Sequence, residues 1–200
     1  AIDVVRTGIG YPAFFNDKAH IPQLLSEGFC LEEARNYVNK ACVEILVPGK
    51  NMRNRCTLGY ICPPKCLELA LNKGIDKFSG AQVGYPTADP LSFSSIEDVM
   101  DAYIKQVDFF ADKIAKLCNI YQAMYAEYLP RPFASALQDG CIEQGKAADT
   151  WGYHSRNTVL FLGPTNVADS LAAMKKLVFE EKKVSMEELL EALRNNWEGR

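Results

Sequence analysis

Ile96, Val99, Met100, Tyr103, Val107, Phe110, Ile114, Cys118, Tyr121 and Tyr125 recur with a helical period that holds to about Leu129. Ser94-Ser95-Ile96-Glu97-Asp98 offers a capping box at its start, and Pro130 and Pro132 end it. A helix this long must lay its apolar stripe against something. Core packing is the plain reading, and a partner-binding face is the alternative.

Shorter elements surround it. Ile2-Asp3-Val4-Val5 reads as a short buried strand, and Gly8, Gly10 and Pro12 punctuate a loop after it. Ile21, Leu24 and Leu25 mark a helix that Gly28 stops, and Leu31, Ala34, Tyr37 and Val38 mark a second. Ala41-Cys42-Val43-Glu44-Ile45-Leu46-Val47, closed by Pro48-Gly49, is short and rich in branched residues, so it reads as strand or loop. Residues 50–60 are polar without a period and read as a loop. Pro63 and Pro64 suit a helix start, Cys66, Leu67, Ala70 and Leu71 give its buried face, and Gly74 is a stop. Residues 75–93 read as an irregular connector. Beyond the long helix come a loop around Asp139-Gly140-Cys141, a strand at Thr158-Val159-Leu160-Phe161 and a helix over residues 165–179. A last helix begins at Ser185, with Glu188 as its box partner, and ends near Trp197.

Composition narrows the class. With 200 residues, 48% of them hydrophobic and 24% charged, the chain has enough apolar material for a core. A net charge of −3 without a Lys/Arg run leaves no footprint for nucleic acid. The opening residues lack the pattern of a signal peptide, and no window reaches the roughly 18 apolar residues of a membrane span. The seven cysteines, at 30, 42, 56, 62, 66, 118 and 141, are odd in number and irregular in spacing. That argues against a disulfide framework and for a reducing cytoplasm. Those inside helical patterns read as small buried hydrophobes.

Cys42 and Glu44 are the sharpest chemical feature. In an extended segment residues two apart share a face. A thiol can give and take back a hydrogen atom, and a neighbouring carboxylate can take the proton that a substrate radical makes acidic. On spacing alone the signal is weak, and a buried Cys beside a paired or solvated Glu is the plainer reading. Cys56, Cys62 and Cys66 lack the paired spacing of a zinc site, and neither His20 nor His154 falls near them, so no metal is expected. A Cys-His hydrolase pair stays open but unsupported. Gly8-Ile9-Gly10 lacks the third glycine of a dinucleotide loop.

Several stretches, in order, resemble the pyruvate formate-lyase superfamily of glycyl-radical enzymes. Arg6-Thr7-Gly8-Ile9-Gly10-Tyr11-Pro12 with Phe15-Asn16-Asp17 is similar to the segment ahead of that family's cysteine finger. Glu33-Ala34-Arg35-Asn36-Tyr37 precedes Ala41-Cys42-Val43-Glu44 as the family's helix precedes its thiyl cysteine. Cys66-Leu67-Glu68-Leu69-Ala70-Leu71-Asn72-Lys73-Gly74 resembles the next barrel helix. Cys141-Ile142-Glu143-Gln144-Gly145-Lys146, Asn166-Val167-Ala168-Asp169-Ser170-Leu171-Ala172-Ala173 and Leu177-Val178-Phe179-Glu180-Glu181 are family-like too.

The resemblance implies an α/β fold, mostly helical with short strands. Residues 1–200 would form a single region of a ten-stranded α/β barrel, with the cysteine finger over about residues 39–60. It implies Cys42 as the thiyl cysteine, hidden from solvent, and Glu44 as the base. Cys-x-Glu resembles the dehydratases, the C–N and C–S lyases and the arylacetate decarboxylases, whereas pyruvate formate-lyase itself has two adjacent cysteines. The implied reaction is elimination. Its alternatives are a radical decarboxylase and a non-catalytic barrel subunit. Arg53, Asn54, Arg55 and Cys56 are candidates for substrate binding. Arg55 and Cys56 replace the His-Asp pair of diol dehydratases, Ile45 replaces the usual Pro and Trp151-Gly152 the Gly-Gly of a later loop, which speaks against a glycerol or propanediol substrate. The resemblance further implies a glycyl radical, installed by a radical S-adenosylmethionine activase, in a homo-oligomer at full length. The Arg-Val-x-Gly-Tyr type motif of the radical glycine is absent. The closest match, Gly84-Tyr85-Pro86, has the wrong neighbours. The 200 residues alone are therefore expected to be inactive.

Overall fold

The computed structural model describes residues 2–9, 13–40, 44–50, 57–148 and 158–198. The chain is mostly helical with short strands and resolves into two compact units, Ala1–Thr57 with Ile120–Thr158, and Leu58–Asn119 with Val159–Arg200.

The first unit holds α1 (Ile2–Val5), α2 (Asp17–Ser26), α3 (Leu31–Arg35), β1 (Val38–Lys40) and β2 (Glu44–Leu46). The strand expected at Ile2–Val5 is instead an exposed helical turn, whose Ile2 carbonyl accepts from the Arg6 amide at 3.0 Å. Four residues cannot make a strand without a partner, and a helical turn satisfies its own backbone. Asn16 caps α2, its side chain accepting from the Lys18 amide at 3.0 Å. Gly28 then turns the chain at φ 98°. Leu24, Phe29, Ala34 and Val47 form a buried cluster, with Ile21, Tyr37 and Ile45 packed on it. β1 and β2 pair antiparallel, Val38 with Leu46, Asn39 with Ile45 and Lys40 with Glu44.

The second unit begins with β3 (Thr57–Ile61), whose partner is β4 (Thr158–Phe161). Thr57 to Tyr60 fall where the sequence predicts a loop. Gly59 obscures the strand pattern and is needed there, because a Cβ would come within 2.7 Å of the Ile114 side chain. α4 (Pro63–Ala70) starts on its two prolines and buries Cys66, Leu67, Leu69 and Ala70. α5 runs from Ile96 to Tyr128, continuing into the first unit from Ile120. Its capping box forms as expected: the Asp98 carboxylate accepts from the Ser94 and Ser95 amides at 2.7 and 3.0 Å. These bonds hold that carboxyl below its ordinary range. The predicted stripe is buried at Val99 and Cys118, but Tyr121 and Tyr125 are exposed, so core packing accounts for only part of it.

α5 ends at Tyr128, ahead of Pro130. Pro132 opens α6 (Pro132–Ala136), and α7 (Cys141–Gln144) lies where the sequence predicts a loop. α8 (Pro164–Met174) continues as a π-helix over Lys175–Glu180, in place of the single regular helix predicted over residues 165–179. α9 (Met186–Arg194) begins on the Ser185–Glu188 box: the Ser185 amide donates to Glu188 at 2.8 Å, and the Glu188 amide donates to the Ser185 hydroxyl at 3.1 Å. Leu67, Leu71, Val99, Val167, Met174, Met186 and Leu190 make the core of this unit. Among the described residues no helix is long and apolar enough to cross a membrane.

Gln106 on α5 is fully buried and brackets Tyr85. Its amide oxygen accepts from the Tyr85 N–H at 2.9 Å, and its amide nitrogen donates to the Tyr85 carbonyl at 2.6 Å. Gln106→Leu should destabilise this corner by about 2 kcal/mol, because both backbone groups lose their partner. Faster hydrogen exchange at the Tyr85 amide and a lower urea midpoint would report it. Unchanged exchange would show the bracket to be dispensable.

Candidate active site

Of the sequence-predicted site residues, only Glu44 falls among the described residues, on β2 of the β1–β2 pair. Cys42 itself, with Arg53, Asn54, Arg55 and Cys56, lies outside the described residues. Glu44 is described: it is the first residue of β2, half-buried, and its backbone register is set opposite Lys40. β2 falls within the stretch Ala41–Val47 that reads as strand or loop. Ile45 packs on the buried cluster and Val47 is part of it, so the strand's downstream end is anchored by apolar contact.

Both roots of the hairpin are also held by polar groups. Ahead of β1, the Tyr37 hydroxyl donates to the Asp17 carboxylate at 2.6 Å, which pushes the phenol's pKa up. Beyond β2, Gly49 takes a left-handed φ of 77° and the Lys50 amide returns to the Val47 carbonyl at 3.1 Å. The Lys50 ammonium then lies 2.9 Å from Glu33 and 3.2 Å from Asp139. The Asp139 amide donates to the Gly49 carbonyl at 2.9 Å, so two bonds tie this distant residue to the turn. Glu33 also accepts from the Cys30 amide at 2.9 Å, the acidic half of a capping box on α3. That bond first, then Lys50, holds its carboxyl down to about 2. Glu33 in turn, more than Asp139, raises the Lys50 ammonium.

Sequence reasoning missed Glu33, Lys50 and Asp139. A Cys-x-x-Glu step ahead of a helix was the only local signal for Glu33. His20, one of the two histidines a Cys-His pair could use, sits between the rings of Phe15 and Tyr37, with centroids 5.9 and 5.8 Å away. Its buried Nδ1 has no hydrogen-bond partner among the described residues. His154 lies outside the described residues.

Of the cysteines, Cys66 and Cys118 are buried and free, as the helical patterns implied, Cys141 is buried and free where a loop was expected, and burial pushes the Cys66 thiol up to about 11. Cys30 and Cys62 are exposed. Among the described residues no group of three or more His, Cys, Asp or Glu is placed to hold a metal. Gly84, the glycine closest to a radical motif, is buried in packing. A Cβ there would lie 2.3 Å from the Gln106 amide oxygen and 3.1 Å from Leu69. An apolar cavity of about 480 Å³ opens in the second unit between α4, α8 and α9, lined by Leu67, Val167, Met174 and Leu190, with none of the candidate residues on its wall.

The family model described as pyruvate formate lyase-like matches residues 1–200. Trans-4-hydroxy-L-proline dehydratase of Clostridioides difficile is 37% identical over 201 residues, covering 100% of this chain and 25% of that protein. (2S)-3-Sulfopropanediol dehydratase of Klebsiella oxytoca is 33% identical, covering 99% of this chain and 24% of that protein. The crystal structure of hydroxyproline dehydratase from Clostridioides difficile with trans-4-hydroxy-L-proline bound matches with a TM-score of 0.87 at 35% identity, over 94% of this chain and 24% of that one. The chain thus spans about a quarter of the length of the relatives it matches.

The Glu33 carboxyl supplies a pH test of the hairpin's root. Its pKa falls from an ordinary 4.5 to about 2 on folding. A group depressed in this way contributes stability above its unfolded pKa and loses it as pH falls through the folded value. Wild type should therefore lose stability between about pH 4.5 and 2, and Glu33→Gln should lack that part of the slope. Thermal midpoints across this range check it: the two proteins should differ most above pH 4.5 and converge toward pH 2. Parallel curves would remove Glu33 from the acid response.

Proposed function

Because the chain belongs to the pyruvate formate lyase-like family of glycyl-radical enzymes, we propose that it carries the hydrogen-abstracting part of a radical lyase, in one sector of a ten-stranded barrel. The observation that carries the reading is Glu44 at the head of a paired strand, two residues beyond Cys42 in the chain, half-buried and fixed in backbone register.

A glycyl radical, installed on another segment by a radical S-adenosylmethionine activase, supplies the oxidising equivalent when it comes within reach. Cys42 gives up the hydrogen atom of its thiol and, as a thiyl, takes one from a substrate carbon. The substrate radical acidifies a neighbouring proton, which Glu44 accepts. The leaving group departs from the adjacent carbon with its bonding pair and is protonated, and the Cys42 thiol returns its hydrogen atom to the product radical. Arg53, Asn54 and Arg55 offer charge and donors for an anionic substrate group, with Cys56 beside them. Two of the relatives are dehydratases, which favours elimination of a hydroxyl over decarboxylation. A homo-oligomeric complete enzyme completes the reading.

In the activated full-length enzyme, Cys42→Ala should abolish turnover while leaving the glycyl radical doublet in electron spin resonance. Alanine has no S–H to cycle, and the radical is installed elsewhere. Substantial residual activity would remove the thiyl role. Glu44→Gln keeps shape but accepts no proton, so kcat should fall by about 10²- to 10⁴-fold. A variant within a few-fold of wild type would make Glu44 structural. Assay on hydroxylated substrates and on hydroxyphenylacetate distinguishes the chemistry: carbon dioxide as the released product would replace elimination by decarboxylation.

A further inference from the structure

Hydrogen-atom transfer demands close approach of the reacting atoms, and a misplacement of about 1 Å can cost about 10²-fold in rate. The paired strands that flank Cys42 in the chain have three residues each. Such a ladder does not fix its own position. Ile45 and Val47 anchor one face by packing, which resists removal from the core but tolerates sliding along it. Directional constraint comes from Lys50.

Three features mark the Lys50 contacts as built. The ammonium reaches a residue upstream of the hairpin, Glu33 on α3, and one far downstream, Asp139. The Lys50 side chain is 18% exposed and that of Glu33 27%, so the pair is partly withdrawn from solvent. Finally, Gly49 allows the approach: a Cβ there would lie 2.9 Å from the Asp139 carboxylate, and the φ of 77° disfavours any side chain. An exposed ion pair contributes little to stability. A clamp across the base of a short hairpin can instead act on geometry.

We propose that Lys50, bonded to Glu33 and Asp139, is a positioning residue that sets the placement of the Cys42 hairpin for hydrogen-atom transfer. The proposal rests on the reading in which Cys42 is the hydrogen-atom carrier. Lys50 touches neither substrate nor radical. It acts through the turn at 48–50 and through β2.

The experiment uses activated full-length enzyme and measures kcat, KM, radical content per protomer and thermal midpoint for Lys50→Met, Lys50→Arg, Asp139→Asn and the pair Glu33→Gln with Lys50→Met, beside Cys42→Ala. Lys50→Met should lower kcat by about 10- to 100-fold, with KM and radical content little changed. Lys50→Arg, which restores the cation, should recover most of kcat. The double variant should fall no further than Lys50→Met, because the clamp is already open. Full kcat in Lys50→Met beside a dead Cys42→Ala overturns the clamp and leaves the thiyl reading standing; an active Cys42→Ala overturns that reading itself. A loss in folded Lys50→Met that arginine does not recover also overturns the positioning role. Should Lys50→Met fail to fold, Asp139→Asn decides: a few-fold fall in kcat at unchanged KM supports the clamp, and wild-type kcat overturns it.

Discussion

Two strands of three residues form too few ladder bonds to stand in water, so the hairpin of β1 and β2 depends on what grips its ends. Apolar burial supplies the first grip. Val47 enters the cluster of Leu24, Phe29 and Ala34, and Ile45 packs against it. Because strand residues alternate in facing, this burial leaves Glu44 and Leu46 on the other side from Ile45. The same alternation that anchors the hairpin therefore turns the Glu44 carboxylate away from the face that is anchored. Polar contacts supply the second grip: Tyr37 to Asp17 before the hairpin, Lys50 to Glu33 and Asp139 after it.

The second unit solves a different problem. Its connector over residues 75–93 has little regular structure, so its backbone polar groups need side-chain partners. Gln106 serves Tyr85, the Asp76 carboxylate accepts from the Ser79 amide at 2.8 Å and pairs with Lys65, and Asp89 accepts from the Leu91 amide at 3.0 Å and pairs with Lys73. Gly84 belongs to this scheme. The absence of a side chain lets Gln106 close on the backbone, which accounts for the glycine without any radical chemistry.

Local chemistry was readable and distant chemistry was not. Ser95 with Asp98, Ser185 with Glu188, the prolines at 63 and 64 and the glycine at 28 each act within a few residues, and the helix ends they predict are present. The strand Thr158–Phe161 announced itself by branched and aromatic residues. The strand at Thr57–Ile61 did not, because Gly59 answers to Ile114, a residue the local pattern cannot see. The failure at Ile2–Val5 has the opposite cause: four residues carry no period, and the absence of a paired strand decided the outcome. The Cys42–Glu44 assignment came from family resemblance, since Cys-x-Glu alone is common. Nothing near Lys50 in the chain hints at Asp139.

The order of groups along the chain gives the clamp its leverage. Glu44 opens β2, Lys50 ends the turn that follows, and the polar residues Arg53, Asn54 and Arg55 come after Asn51 and Met52. On the lyase reading, the base lies on one side of Lys50 and the anion-binding groups lie on the other. Fixing Lys50 against Glu33 and Asp139 thus sets an origin for β2, with only three residues between the end of the strand and the ammonium's own backbone. A group anchored at one point by packing can still pivot about it, whereas one also bonded to two separate carboxylates has far fewer directions left. Rate in a radical elimination depends on the thiol, the base and the substrate's anion being registered together. On the proposed reading, a lysine clamped at the end of the turn constrains β2 and, with it, the base.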